Sequence, residues 1–256
     1  MATRMSAMKY ALPLIALSLL LFRVTIFRSV FDPASIFLLW TAVSFFLMGL
    51  GYAWLGPGVL GKKQDGRLGS LNRLLLFPYL LLSWSIWRIR GLTTAEPVAA
   101  EIIPGLWLGR RPYQRELPLG IKSVVDLAAE FPADRELVGT TNYISRPLLD
   151  GSTAGLGEFK KLIDEISRLP GPVYIHCAQG HGRSAMVMAG VLLSRGLTGT
   201  VEDVELLIKR ARPKIRLNNK QKSLLRRYLE ETAGYRNNPA GGARLQNPGQ
   251  GAADQG

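Results

Sequence analysis

The sequence predicts an α/β domain with a largely parallel central sheet flanked by helices, preceded by transmembrane helices. Long apolar runs concentrate before residue 90, whereas from about residue 100 short strand-like runs alternate with helical ones. A strand pattern also passes through a glycine-containing loop into an apolar helix around the lone cysteine, Cys177. A chain of 256 residues has room for one ordinary domain with an attachment. The sequence divides accordingly into a membrane anchor over 1–91, a domain over 92–233, and a Gly-, Asn- and Gln-rich tail over 234–256 expected to be disordered.

In the anchor, Ile36 to Leu55 carries no charge and has the ~20 residues needed to cross a bilayer core. Tyr10 to Phe27 is interrupted by Arg23, which a position near a helix end tolerates because the side chain can snorkel. Leu74 to Trp87 is shorter, contains Pro78 and is bracketed by Arg73, Arg88 and Arg90, so it suits an interfacial helix. With two spans, one side collects Arg4, Lys9, Lys62, Lys63, Arg67 and Arg73 and the other only Arg23 and Arg28. The positive-inside rule then puts both termini, and the domain, in the cytoplasm.

The net charge of +13 is mostly an excess flanking these apolar segments, ten Lys/Arg against Asp32 and Asp65 before residue 92. Anionic lipid headgroups are its natural partner. No nucleic-acid-binding module is recognisable, so nucleic acid is not expected. A single cysteine rules out an intrachain disulfide.

In the domain, strands are expected at Leu106 to Leu108, Ile121 to Leu127, Tyr143 to Leu149 and Val173 to Cys177. Phe159, Leu162, Ile163 and Ile166 recur at helical spacing, predicting an amphipathic helix over Leu156 to Leu169 stopped by Pro170 and Gly171. Ser184 to Ser194 reads as a buried helix, Val201 to Ala211 as one capped by Thr200, and a last helix is capped by Asn219 and ends near Thr232. The basic run from Lys209 to Arg227 is either a solvated helix face or a surface lying on anionic lipid.

Chemistry concentrates in His176-Cys177-Ala178-Gln179-Gly180-His181-Gly182-Arg183-Ser184, and both histidines of the chain lie here. A loop joining a strand to a helix can turn backbone N–H groups inward on a tetrahedral oxyanion, aided by the helix N-terminus. Gly180 and Gly182 give it backbone freedom. Cys177 would sit beneath the anion, with the same N–H groups favouring its thiolate, and Arg183 can grip two oxygens at once.

These residues resemble the protein tyrosine phosphatase superfamily, whose signature is His-Cys, five residues, Arg, then Ser or Thr. The resemblance covers roughly Ala100 to Glu231 and is closest to the dual-specificity branch; Gly105-Leu106-Trp107-Leu108-Gly109 and Val124-Val125-Asp126-Leu127 look like that branch's strands. It implies a phosphocysteine on Cys177, with the phosphate held by Arg183 and the loop Cys177, Ala178, Gln179, Gly180, His181, Gly182. It also implies Ser184 stabilising the leaving thiolate, His176 supporting the loop, and no metal or cofactor. The general acid is expected at Asp150, with Asp134 the rival and Asp126 structural. His181 either touches substrate or faces solvent.

The resemblance implies a dual-specificity protein phosphatase acting on phosphotyrosine and on phosphoserine or phosphothreonine; the alternative is a phospholipid phosphatase of the kind acting on phosphatidylglycerophosphate, and the second alternative an inactive phosphate-binding module. The partners are accordingly a phosphorylated protein or phospholipid, and a membrane. Rhodanese-like sulfurtransferases also carry a cysteine on an anion-cradling loop, but Ser184 and Asp150 favour a phosphatase. Lysine is absent from the loop, which disfavours polyphosphorylated inositides.

Overall fold

The computed structural model describes residues 2–26 and 32–237. Arg28 and the 238–256 part of the expected disordered tail lie outside the described residues. Its N-terminal third is helical: α1 (Ala2–Ile26), α2 (Pro33–Leu50), α3 (Ser70–Leu75) and α4 (Phe77–Thr93). Asp32 caps α2 by accepting from the Ala34 N–H, and Pro33 needs no partner for a missing N–H in the first turn. Beyond Leu50 the chain stays helical, as a π turn and then a 3-10 turn, to Leu60. Met8–Ile26 and Pro33–Leu60 are long and apolar enough to cross a membrane by length and composition. The helices pack antiparallel: a side chain on Gly49 would collide with Ile15, and Tyr10 stacks on Tyr52 with ring centroids 5.4 Å apart.

The 74–87 stretch is not one helix. Leu76 separates α3 from α4, and Pro78 occupies the first turn of α4, where proline is tolerated. Helix α4 also continues past Gly91 to Thr93, beyond the expected boundary at residue 92. Its Leu81, Leu82, Ile86 and Ile89 are exposed, while Leu80 and Trp87 are buried.

The domain is an α/β unit with a five-stranded mixed sheet of order β1-β2-β5-β3-β4: β1 (Ala99–Ile103), β2 (Leu106–Arg110), β3 (Ser123–Ala128), β4 (Asn142–Leu148) and β5 (Val173–Cys177). Only the β1–β2 pair is antiparallel, turned at Gly105 with φ +80°. Strand β1 was not foreseen, because Ala99 and Ala100 have weak strand preference and it forms as the edge partner of β2. The six-residue helix α5 (Arg135–Thr140) is likewise too short to show a period.

Around the sheet lie α6 (Leu156–Ser167), α7 (Arg183–Ser194), α8 (Val201–Ala211) and α9 (Asn219–Asn237). Arg183 through Leu193 are all buried, which explains the apolar reading of α7. Thr200 caps α8 by accepting from the Asp203 N–H at 3.1 Å. Asn218, not Asn219, caps α9, accepting from the Gln221 N–H at 3.0 Å, and α9 extends past Thr232 through residues expected to be disordered.

The two parts of the chain pack on each other. Met48, Leu60, Leu76 and Leu80 form one buried cluster with Ala129 and Leu149 of the domain. Lys62, whose side chain is fully buried, donates to Asp126 Oδ2 at 2.6 Å and to the Ala128 carbonyl at 2.5 Å. Tyr143 Oη donates to the same carboxylate oxygen at 2.7 Å. Removing one partner of a buried pair leaves the other charge uncompensated. Lys62→Met is expected to lower unfolding stability by about 3–5 kcal/mol, measured by denaturant unfolding of the full chain in detergent.

Candidate active site

Strand β5 lies at the centre of the sheet between β2 and β3 and ends at Cys177, so the loop from Cys177 to Gly182 leaves the carboxyl edge of parallel strands and enters α7. Ligands favour that edge because helix N-termini face it. Gly180 has φ +76°, and a Cβ there would lie 2.4 Å from the Gly109 carbonyl carbon, so no side chain fits.

The loop's shape follows from its carbonyls, which are tied outward. The Ala178 carbonyl accepts from the Arg111 N–H at 3.1 Å, and the His181 carbonyl from the Arg216 N–H at 3.0 Å. The buried Arg212 guanidinium donates from Nη2 to the Gln179 carbonyl at 3.1 Å and from Nε to the Gly180 carbonyl at 3.0 Å. The Gly182 carbonyl starts the helix, accepting from the Met186 N–H at 2.9 Å. A peptide unit is planar and trans, so a carbonyl held outward turns the following N–H inward. One such N–H, of Gly180, donates to Cys177 Sγ at 3.3 Å.

Cys177 is buried, with Ser184 Oγ 3.3 Å from its sulfur. Arg183 is 1% exposed, and most of its five donors are accounted for. Nη1 and Nη2 donate to the two oxygens of Glu130 at 2.8 and 2.7 Å, Nη1 also to the Leu148 carbonyl at 2.8 Å, and Nη2 lies 3.3 Å from Asp150 Oδ1. Nε is buried and has no hydrogen-bond partner among the described residues. Burial opposes the guanidinium charge, but Glu130 outweighs it and holds the Arg183 pKa well above its usual value. A bidentate grip on an oxyanion has Nε, and Nη2 once Asp150 yields, to use.

Asp150 follows β4, is 71% exposed, and lines the same cavity as Cys177. Asp134 does not: it caps α5 through the Glu136 N–H and accepts from the Gln114 N–H. Asp126 is buried beneath the loop; burial would raise its pKa, but Lys62, then His176, hold it at about 2. His176 lies 3.8 Å from that carboxylate, and burial outweighs the attraction, lowering its pKa to about 4. His181 pairs with Glu96 Oε2 at 2.5 Å and also lines the cavity, so it neither points free into solvent nor stands unpartnered.

Cys177 opens into a cavity of about 920 Å³. Among the described residues six cations line it, Lys9, Arg90, Arg216, Lys220, Lys222 and Arg227, against one carboxylate, Asp150. Burial, then the nearby Lys9, lowers the Lys220 pKa. Part of the basic run thus faces the site, although Lys222 there also pairs with Glu205 at 2.6 Å; elsewhere in the run Lys209 pairs with the same carboxylate, Arg226 with Glu202, and Arg212 holds the loop.

Sequence reasoning missed Glu130, Arg111 and the buttressing role of Arg212. A glutamate directly after an apolar strand is the one local signal that could have exposed Glu130, because a buried carboxylate needs a cation.

His176 yields a pH test. Its folded pKa of about 4 lies below the unfolded value near 6.5, so the unfolded chain binds the proton first. Its contribution to stability is complete above pH 6.5 and falls away as pH drops toward 4, by roughly 3 kcal/mol in all. Denaturant unfolding at pH 7 and pH 4.5 should show this loss, and His176→Asn should flatten it.

Among solved structures, PTPMT1 in complex with PI(5)P is 18% identical, with 54% of this chain and 99% of that chain covered and a TM-score of 0.48. Tk-PTP in its active form is 26% identical, over 52% of this chain and 97% of that chain, at 0.46. The human tyrosine phosphatase-like serine/threonine/tyrosine-interacting protein is 20% identical, over 54% and 99%, also at 0.46. No curated protein matches the chain. The family described as dual specificity phosphatase, catalytic domain, matches residues 110–231. That match, on the stretch holding Cys177, Arg183 and Asp150, supports a phosphatase catalytic domain, a phosphoric monoester hydrolase, in this part of the chain.

Proposed function

We propose that the chain is a membrane-anchored, cysteine-dependent phosphomonoesterase facing the cytoplasm, and that its substrates are lipid phosphomonoesters at the membrane surface. The observation that carries the lipid reading is that Lys9 and Tyr10 of α1, a candidate span, line the same cationic cavity as Cys177. A headgroup phosphate can reach such a cavity while its acyl chains stay in the bilayer. Cations at that level attract anionic headgroups by about 1 kcal/mol each.

In the first step Cys177 Sγ attacks phosphorus and the bond to the leaving oxygen breaks, with Asp150 giving that oxygen a proton. Arg183 and the inward N–H groups hold the equatorial oxygens as charge develops. Asp150 then takes a proton from water as it attacks the phosphocysteine. The S–P bond breaks, Ser184 donates to the departing thiolate, and inorganic phosphate leaves.

Cys177→Ser and Arg183→Ala are each expected to bring hydrolysis of an aryl phosphate below detection; activity persisting in purified Cys177→Ser protein rules the mechanism out. The substrate class is tested by assaying a lipid phosphomonoester in vesicles beside a phosphotyrosine peptide. The lipid should turn over faster, and Lys9→Gln with Arg90→Gln should lower the lipid-to-peptide activity ratio by at least ~10-fold. A ratio that favours the peptide and ignores those substitutions supports a protein phosphatase instead.

Asp150→Asn should slow an alkyl phosphate by roughly 10²-fold or more, and an aryl phosphate with a good leaving group much less. Equal losses on both would remove Asp150 from the acid role.

A further inference from the structure

The phosphate loop has a support that comes from outside the 110–231 stretch. Helix α4 directs two indoles at the site. Trp87 Nε1 donates to the Ala178 carbonyl at 3.0 Å, in a buried bond between residues 91 positions apart. Trp84 Nε1 donates to the Glu130 carbonyl at 2.9 Å. The first acceptor is the loop residue after the nucleophile, and the second belongs to the residue that clamps Arg183.

The Trp87 ring is fixed on several sides. It packs with Ala128, Phe131 and Ala178, its centroid is 5.5 Å from Phe131, and the Arg111 guanidinium lies 5.4 Å from it. Arg111 in turn donates from its side chain to the Pro132 carbonyl and from its backbone to the Ala178 carbonyl. The Ala178 carbonyl therefore receives two donors, one from the strand side and one from α4. Two donors converging on one oxygen fix the plane of the Ala178–Gln179 peptide more firmly than one, and with it the direction of the Gln179 N–H.

We infer that Trp87 and Trp84 are positioning residues for phosphoryl transfer, with α4 holding the Ala178 peptide of the phosphate loop and the Glu130 end of the Glu130–Arg183 pair. The catalytic unit consequently begins upstream of the domain boundary at residue 92 that composition suggests. Deleting 1–91 would remove both indoles together with Lys62. The inference rests on bond geometry and holds whether the substrate is lipid or protein.

The test uses the full chain in detergent and a soluble aryl phosphate, so that substrate presentation plays no part. Trp87→Phe keeps an aromatic ring and removes the donor; Trp84→Phe does the same at Glu130. Each should lower kcat/KM about three- to tenfold, the scale of one net hydrogen bond. Because the loop is built for the transition state, inhibition by vanadate should weaken by a similar factor, and competitive inhibition by inorganic phosphate by less. Trp54→Phe, at an exposed ring with no part in these contacts, should match the parent protein. A merely structural role would lower the melting temperature while leaving vanadate affinity per folded molecule intact. Parent-like kcat/KM and vanadate inhibition in both folded variants overturn the inference. If Trp87→Phe does not fold, the same readouts on Trp84→Phe decide it.

Discussion

The site depends on where the carbonyl groups of one short loop are sent. From Ala178 to Gly182 each carbonyl has a donor outside the loop, from β2's extension, α4, the segment after α8, or α7 itself. Their outward direction is what makes the interior of the loop a concavity of N–H groups, an anion-binding form of backbone. Arg212 supplies two of these bonds from one planar guanidinium, which lysine could not do with the same geometry. The central place of β5 provides the rest: parallel neighbours on both sides fix the strand, and α7 begins where the strand's loop closes.

The loop and its joining of Cys177 to Arg183 were legible because the spacing is local: strand, glycines and helix follow one another within a dozen residues. Strand β5 was legible to the residue as a short continuous apolar run, and helix α8 by its period and its Thr200 cap. What escaped was contact between distant parts of the chain. Glu130 meets Arg183 across 53 positions and Lys62 meets Asp126 across 64, and no local period encodes either. Trp84 and Trp87 read as ordinary members of an apolar run, because composition cannot tell an indole facing a lipid from one donating to a carbonyl. Helix ends were misplaced where a cap lay one residue away or a proline turned out to begin a helix, at Asn218 and Pro78.

Two buried ion pairs sit close to the carboxyl end of β3, Lys62 with Asp126 and Arg183 with Glu130. Burying charge is costly, and each pair offsets that cost only with further hydrogen bonds, from Tyr143 and the Ala128 N–H in one case and to the Leu148 carbonyl in the other. The first pair joins the N-terminal helices to the sheet, and the second joins the sheet to the reacting centre. The same strand end thus carries both pairs, and Asp126, held by Lys62, lies 3.8 Å from His176, the residue before Cys177.

The packing of α1 against α2 brings Tyr10 beside Tyr52, and both helix ends meet the catalytic domain rather than a flexible leash. On the membrane reading, this geometry would hold Cys177 at one fixed height above the bilayer. An enzyme so placed would select by depth, accepting a phosphate for where it stands along its carrier and passing over one held well above or below that plane. Encounter then becomes a search in two dimensions, with the reacting level set by the protein before the substrate arrives.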